Sequence, residues 1–139
     1  MNDIHWPELE NVYWIVNDSL DTSRDDVIGQ NTTELSYIDL MKSCHAVLTK
    51  TGYGMLVEAT TNQSPIICID RGAWPEQPTH FKWVRDNGYL NTIQLDDLYT
   101  GNFAEEVADS INISWQKPAI TNNGADVAAK IISPYLQSC

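Results

Sequence analysis

The stretch LTKTGYGMLVEA, residues 48–59, has two glycines at the point where an apolar run ends and a helical pattern begins. Because glycine lacks a Cβ, the backbone at Gly52 and Gly54 can adopt positive φ or approach a ligand closely. The first N–H groups of a helix have no partner within it, and together with the helix dipole they favour an anion. The pattern therefore predicts either a phosphate-binding turn, with Lys50 as a nearby cation, or a tight turn that needs glycine only for its geometry.

Glu58 lies one helical turn after Gly54, among residues that are otherwise apolar. A carboxylate in this position is either a solvated surface group or an acceptor for the two hydroxyls of a ribose, as in dinucleotide-binding folds. The sequence leaves both interpretations open.

Charge and composition restrict the partners of the chain. The 139 residues predict a single domain, 1–139, and 42% of them are hydrophobic, which is enough for a core. Nineteen acidic residues against eight basic ones give a net charge of −11. Such a chain should repel nucleic acid, because binding to phosphate backbones needs clustered Lys and Arg. An anionic ligand must instead be held by backbone N–H groups and one or two placed cations.

Several signals favour a cytoplasmic protein. No run of about 18 apolar residues is present, so no membrane span is predicted. The start, MNDIHWPELE, lacks the basic and apolar regions of a signal peptide. Cys44, Cys68 and Cys139 are an odd number without metal-type spacing, and we expect free thiols. No histidine has a metal-type partner, no Asp-x-Asp motif is evident, and no metal or resident cofactor is expected.

Strand and helix patterns alternate along the chain. Strands are predicted at residues 11–17, 46–49, 65–70 and 91–95. Residues 18–31 are polar and predict a loop. Helices are predicted from a cap at Thr32 or Thr33 to Cys44, then at 54–62, 78–88, 103–115 and 125–136, the last bent or ended near Pro134. This order predicts one parallel sheet with helices on both faces, a Rossmann-like α/β fold.

Ligands of such sheets bind beyond the carboxyl ends of the strands. Three predicted loops begin at such ends: residues 17–30, the glycine turn, and residues 70–77. Trp74 in the last of these is an aromatic that could stack on a sugar or a base, whereas the other tryptophans are expected to pack in the core.

Residues 44–88, CHAVLTKTGYGMLVEATTNQSPIICIDRGAWPEQPTHFKWVRDNG, resemble the carboxyl-terminal, donor-binding domain of GT-B-fold glycosyltransferases. The resemblance is nearest to the peptidoglycan N-acetylglucosaminyltransferase type and to glycosyltransferase-like domains beside sugar kinases such as arabinokinase. Residues 37–50 extend it upstream. The matching features, in order, are Val47–Thr49, Gly52–Gly54, Glu58-Ala59, Asn62–Ser64, Pro65–Ile69 and Glu76-Gln77.

The resemblance implies a nucleotide-sugar substrate of the UDP type and a role for each matching position. Backbone groups of Gly52, Tyr53 and Gly54 would face the diphosphate, with Lys50 or Thr51 beside them. Glu58 would hold the ribose. Further implied contacts are Glu76 and Gln77 with the sugar, Arg71 with a phosphate, and the loop Val27–Gln30 with the base. A solvated loop for Glu76 and Gln77, and a structural ion pair for Arg71, are equally open interpretations.

The chain also departs from the family pattern. Enzymes of the family have two domains, and their acceptor contacts come largely from the first, for which this chain is too short. No glycine-rich first strand precedes residues 11–17, so we expect a sheet that lacks its first strand and an open edge that favours self-association. The resemblance thus implies a fragment or half of a split enzyme, with a separate amino-terminal acceptor domain and no transfer activity alone. The alternatives are a non-catalytic relic or interaction module, and an unrelated flavodoxin-like nucleotide-binding module.

Overall fold

The computed structural model describes residues 4–20 and 23–136; Cys139 and the first three residues of the chain lie outside this description. The structure has five short strands, one more than the four predicted, and from β3 onwards strands and helices alternate as the sequence predicts. The strands are β1 (Trp14–Val16), β2 (Val27–Gly29), β3 (Val47–Lys50), β4 (Ile66–Asp70) and β5 (Leu90–Gln94). The helices are α1 (Tyr37–Ser43), α2 (Tyr53–Thr61), α3 (Gln77–Asn87), α4 (Leu95–Thr100), α5 (Ala104–Ile111) and α6 (Gly124–Leu136), and a 3-10 turn covers Gln30–Thr33.

The strands form two parallel sheets and not the single sheet that the sequence predicts. One sheet pairs β1 with β2, and the other has the order β3-β4-β5. The mixed α/β fold with parallel strands is confirmed, whereas the single sheet is wrong because no ladder joins β1 to β3 within the described residues. The partner of β1 is β2, which lies in the region 18–31 that was predicted to be a loop.

Two apolar cores cover the two faces of the β3-β4-β5 sheet. Side chains alternate along β4, so that Ile67 faces one core while Ile66 and Cys68 face the other. The first core also contains side chains of α4, α5 and the β1–β2 sheet, and the second contains side chains of α1, α2 and α3. Helices therefore lie on both faces of this sheet, as predicted. Trp14 and Val16 of β1 belong to the same core as Ile67, so the two sheets share one apolar layer.

Within each sheet the strands run parallel to one another. β2 continues through the 3-10 turn to Tyr37, the first residue of α1. The Tyr37 hydroxyl contacts the Met55 sulfur in the first turn of α2, and α2 follows β3 after a short loop. The carboxyl ends of β2 and β3 therefore lie at the same edge of the molecule.

Several boundaries differ from the predicted ones for local reasons. The helix predicted from Thr32 or Thr33 begins only at Tyr37, because Glu34 has a left-handed backbone with φ of 57° and Ser36 accepts a hydrogen bond from the Asp39 N–H. Helix α4 was not predicted; it follows β5 directly through a capping box between Gln94 and Asp97. The helix predicted over 103–115 ends at Ile111.

Candidate functional site

The carboxyl ends of β3 and β4 bring the predicted site residues to one edge of the three-stranded sheet. Lys50 pairs with Ile69 in the last rung of the ladder between these strands. The loop after β3 leads into α2, and the loop after β4 leads into α3. Two helix amino termini therefore flank the same edge.

Gln77 joins the two loops by hydrogen bonds. Its side-chain oxygen accepts bonds from the Thr51 hydroxyl (2.7 Å) and from the Arg71 N–H (2.9 Å). Its amide nitrogen donates to the carboxylate of Asp70 at 2.5 Å. Gln77 is 6% exposed and Thr51 is 2% exposed. Both side chains connect the two loops. The contact of Gln77 with a sugar stays a prediction, and only the second N–H of its amide group is left to make it.

Asp70 is a residue of this network whose role the sequence did not indicate. It is the last residue of β4, and its carboxylate also accepts a bond from the Gly72 N–H at 2.7 Å. The bond from Gly72, followed by that from Gln77, lowers the pKa of Asp70 below its ordinary value. The available signal was an acidic residue at the end of an apolar strand, followed by glycine, which is typical of a carboxylate that closes a turn.

The glycine turn is open and does not use positive φ. Gly52 caps α2 with a φ of −166°, an extended conformation that any residue adopts. Apart from its chain neighbours and the backbone of its own helical turn, a Cβ on Gly54 would meet no atom within 4 Å. The first intrahelical bond of α2 runs from the Leu56 N–H to the Gly52 carbonyl, so the N–H groups of Tyr53, Gly54 and Met55 precede it. Of the two properties expected of the glycines, the accessible backbone is present and the unusual dihedral angle is not.

Glu58 is exposed on α2, one turn after this open backbone. It belongs to neither ion pair of the described residues, which are Arg24–Asp26 and Lys82–Asp86. Its negative charge acts on Tyr37, whose pKa is raised first by burial and then by Glu58. The carboxylate is therefore available to a ligand that approaches between α1 and α2.

Aromatic and cationic groups lie on the other side of the turn. Tyr53 is 71% exposed, and its ring is 6.1 Å from the ring of His80, measured between centroids. The Arg71 guanidinium lies 3.9 Å from the centroid of the Trp74 ring. Arg71 is exposed and is in no ion pair of the described residues, so the structural ion pair considered for it is not observed. One face of Trp74 is already occupied by this cation.

The main cavity lies elsewhere, between β1 and β3, with a volume of about 730 Å³. Of the predicted donor-binding residues, Gln30, at the end of the loop implied to contact the base, lines it, whereas those of the glycine turn and of residues 70–77 do not. Tyr37 and Met55 do, so the cavity adjoins the first turn of α2 without including the glycine turn. The glycine turn and the loop after β4 thus form an open surface at the sheet edge, and the cavity adjoins this surface without including it.

Metal-binding groups, thiols and membrane-spanning helices suggest no further site within the described residues. No group of three or more His, Cys, Asp or Glu side chains is placed to hold a metal there. Cys44 and Cys68 are free thiols, and burial raises the pKa of each. None of the helices in this part of the chain is both long enough and apolar enough to cross a bilayer.

Comparisons of the chain with protein-family models, with curated proteins and with solved structures gave no match. Functional inference therefore depends on the residues and their geometry.

Proposed function

We propose that the chain binds a nucleoside-diphosphate sugar at the carboxyl edge of β3 and β4, as the donor-binding part of a GT-B-type glycosyltransferase. The observation that carries the proposal is the open first turn of α2, where Gly54 faces free space and three N–H groups precede the first intrahelical bond. Backbone N–H groups and a helix dipole attract an anion even though the net charge of the chain is −11.

The diphosphate would lie against this turn. N–H groups of Tyr53 and Gly54 would donate to its oxygens, and the exposed cations of Arg71 and Lys50 would approach from the ends of β4 and β3. In a transfer reaction the same donors stabilise the charge that develops on the departing diphosphate, which is an electrostatic contribution to catalysis. The proposed scheme uses no group other than those of the chain and the substrate.

Glu58 and Tyr37 would form the ribose side of the site. The carboxylate is exposed one turn from the glycine loop, and the Tyr37 hydroxyl lies within its electrostatic reach. A carboxylate accepts two charge-assisted hydrogen bonds from a ribose diol. On the sugar side, the exposed Glu76 at the amino end of α3 is better placed than Gln77, since the oxygen of Gln77 already accepts two bonds.

A second candidate function is a non-catalytic interaction module. Helix α6 favours it, because none of its residues is buried and Val127, Ile131 and Ile132 are exposed. A helix with an uncovered apolar face is typical of a surface that contacts another protein.

Calorimetric titration with UDP, and with GDP and ADP as comparisons, tests nucleotide binding. Wild type should bind UDP at millimolar concentration or below, and Glu58→Gln should bind it about 10-fold more weakly or worse, because one charge-assisted hydrogen bond contributes roughly 1.5–3 kcal/mol. The melting temperature should hardly change, since an exposed substitution alters stability by about 0.5 kcal/mol or less.

Glu105→Gln is the matched control, because it removes the same charge from an exposed position on α5. It should leave UDP affinity unchanged. Failure of wild type to bind any of the three nucleotides at millimolar concentration would refute the donor-site proposal and favour the interaction module.

A further inference from the structure

The cavity between β1 and β3 has the position and the form of an absent strand. It is bordered by one edge of each sheet, and both sheets contribute to the same apolar core. Val107 and Ile111 of α5 line one side of it, and Leu40 and Met41 of α1 line the other. A parallel sheet with helices on both faces has this layering around each of its inner strands.

The two strands that border the cavity leave backbone groups unpaired towards it. The Trp14 N–H donates to Asp26 on the β2 side, and the Val47 N–H donates to Pro65 on the β4 side. Backbone groups of successive residues in a strand point to opposite sides, so the N–H and C=O of Ile15 and Leu48 point into the cavity. Both residues line it. A row of unpaired backbone groups is a template for another strand.

The lining of the cavity is mostly apolar and disfavours a charged ligand. Within the described residues, none of those around the cavity is Asp, Glu, Lys or Arg, although these types make up 19% of the sequence. An ion placed there would lose part of its hydration and meet no carboxylate, ammonium or guanidinium group, although polar side chains such as Asn11 and His45 lie in the lining. The apolar side chains of an extended peptide would pack against the lining, and its backbone would hydrogen-bond to the unpaired groups of Ile15 and Leu48.

We propose that this cavity is a docking slot for a single β-strand from a segment that is not part of these 139 residues. The occupant is an extended segment of about five residues, apolar on both faces, that runs parallel to β1 and β3 and hydrogen-bonds to both. It completes one continuous sheet in the order β2-β1-strand-β3-β4-β5. This binding mode is β-augmentation at two edges at once.

Every strand of the described residues is already held in a ladder, so none of them fills the slot. The stretches outside the description, 1–3, 21–22 and 137–139, have two or three residues each and mostly polar side chains, whereas the occupant needs about five. A second copy is also a poor donor: its described strands are held in ladders, and the rest of a sheet would collide with α1 and α5. Moreover, two copies of charge −11 repel each other.

A synthetic peptide tests the slot directly. It contains about five consecutive Val and Ile residues between pairs of lysines, and the lysines keep it in solution. Amide hydrogen exchange of the full chain is followed by NMR with and without the peptide. Binding should slow exchange at Ile15 and Leu48, while Trp14 and Val47, whose N–H groups are already bonded, serve as internal controls.

The control peptide has the same sequence with alternate backbone nitrogens methylated, so that it keeps its charge and apolar surface but loses donors on one edge. It should bind at least about tenfold more weakly, because each lost hydrogen bond leaves a desolvated partner. Equal binding of both peptides would show an apolar pocket and overturn the strand proposal. Protection of Ile15 and Leu48 that rises with protein concentration, without peptide, would show that a second copy fills the slot and would equally overturn it.

Discussion

Asp70 shows how one carboxylate organises the edge where the proposed ligand lies. It accepts bonds from the Gly72 N–H and from Gln77, and Gln77 in turn accepts bonds from Thr51 and from the Arg71 N–H. The loops after β3 and β4 are therefore connected through two side chains. Glycine at the turn and glutamine at the start of a helix were visible in the sequence. The network was not, because it joins residues up to 26 positions apart that only the parallel register brings together.

The lowered pKa of Asp70 predicts a dependence of stability on pH. Its folded-state pKa lies below the unfolded value of about 3.8, so ionised Asp70 stabilises the fold above that value. This contribution is lost as the pH falls through the folded pKa. We expect Asp70→Asn to flatten the acid limb of the unfolding free energy below about pH 4, measured by urea denaturation across the range.

The appropriate control is Asp109→Asn, which removes an exposed carboxylate from α5. It should leave the acid limb of wild type in place. If Asp70→Asn and wild type lose stability in parallel as the pH falls, the hydrogen bonds of Asp70 do not persist in solution.

Elements with long periodic patterns were predictable, and short ones were not. The strand, glycine turn and helix over 47–61, and the strand and helix over 66–87, lie within a few residues of their predicted positions. β2 was missed because its three residues, Val27–Gly29, are too few to stand out among polar neighbours. α4 was missed because the chain passes from β5 into it without a turn, and LDDLYT is too short to show helical periodicity.

Glycine has different roles at two helix ends, and substitutions should separate them. Gly101 ends α4 with φ of 74°, and a Cβ there would lie 3.1 Å from the His5 carbonyl oxygen. Gly54 lies inside α2 with open space around it. Gly101→Ala should lower the unfolding free energy by more than about 1 kcal/mol, whereas Gly54→Ala should leave it unchanged or raise it by roughly 0.4–1 kcal/mol.

The same pair of variants tests the site. Gly54→Ala should weaken UDP binding, because its new methyl group would occupy the space in which the diphosphate lies in the proposed complex. Gly101→Ala should bind UDP as wild type does at temperatures where it is folded. A Gly54→Ala protein that is stable and binds UDP normally would show that glycine is present in this turn only for its geometry.

At the scale of the whole molecule, two apolar surfaces are not covered by the described residues. One is the slot between the two sheets, and the other is the apolar face of α6. The slot lies between β1 and β3. Because the net charge is −11, two copies of the chain repel each other. A partner that carries basic residues beside an apolar strand would be attracted.

Removal of α6 should leave the rest of the fold intact. Its residues contribute no buried side chain, so a chain that ends at Asn123 exposes almost no additional apolar surface of the core. Because stability and the slope of urea denaturation both follow the surface buried on folding, we expect the unfolding free energy to change by about 1 kcal/mol or less and the slope to fall only slightly.

Leu136→Lys in the full chain, at an exposed position of α6, should be equally neutral. A loss of several kcal/mol on truncation would instead show that α6 packs against the domain in solution and covers part of the uncovered face of β1, where Tyr13 and Ile15 are exposed.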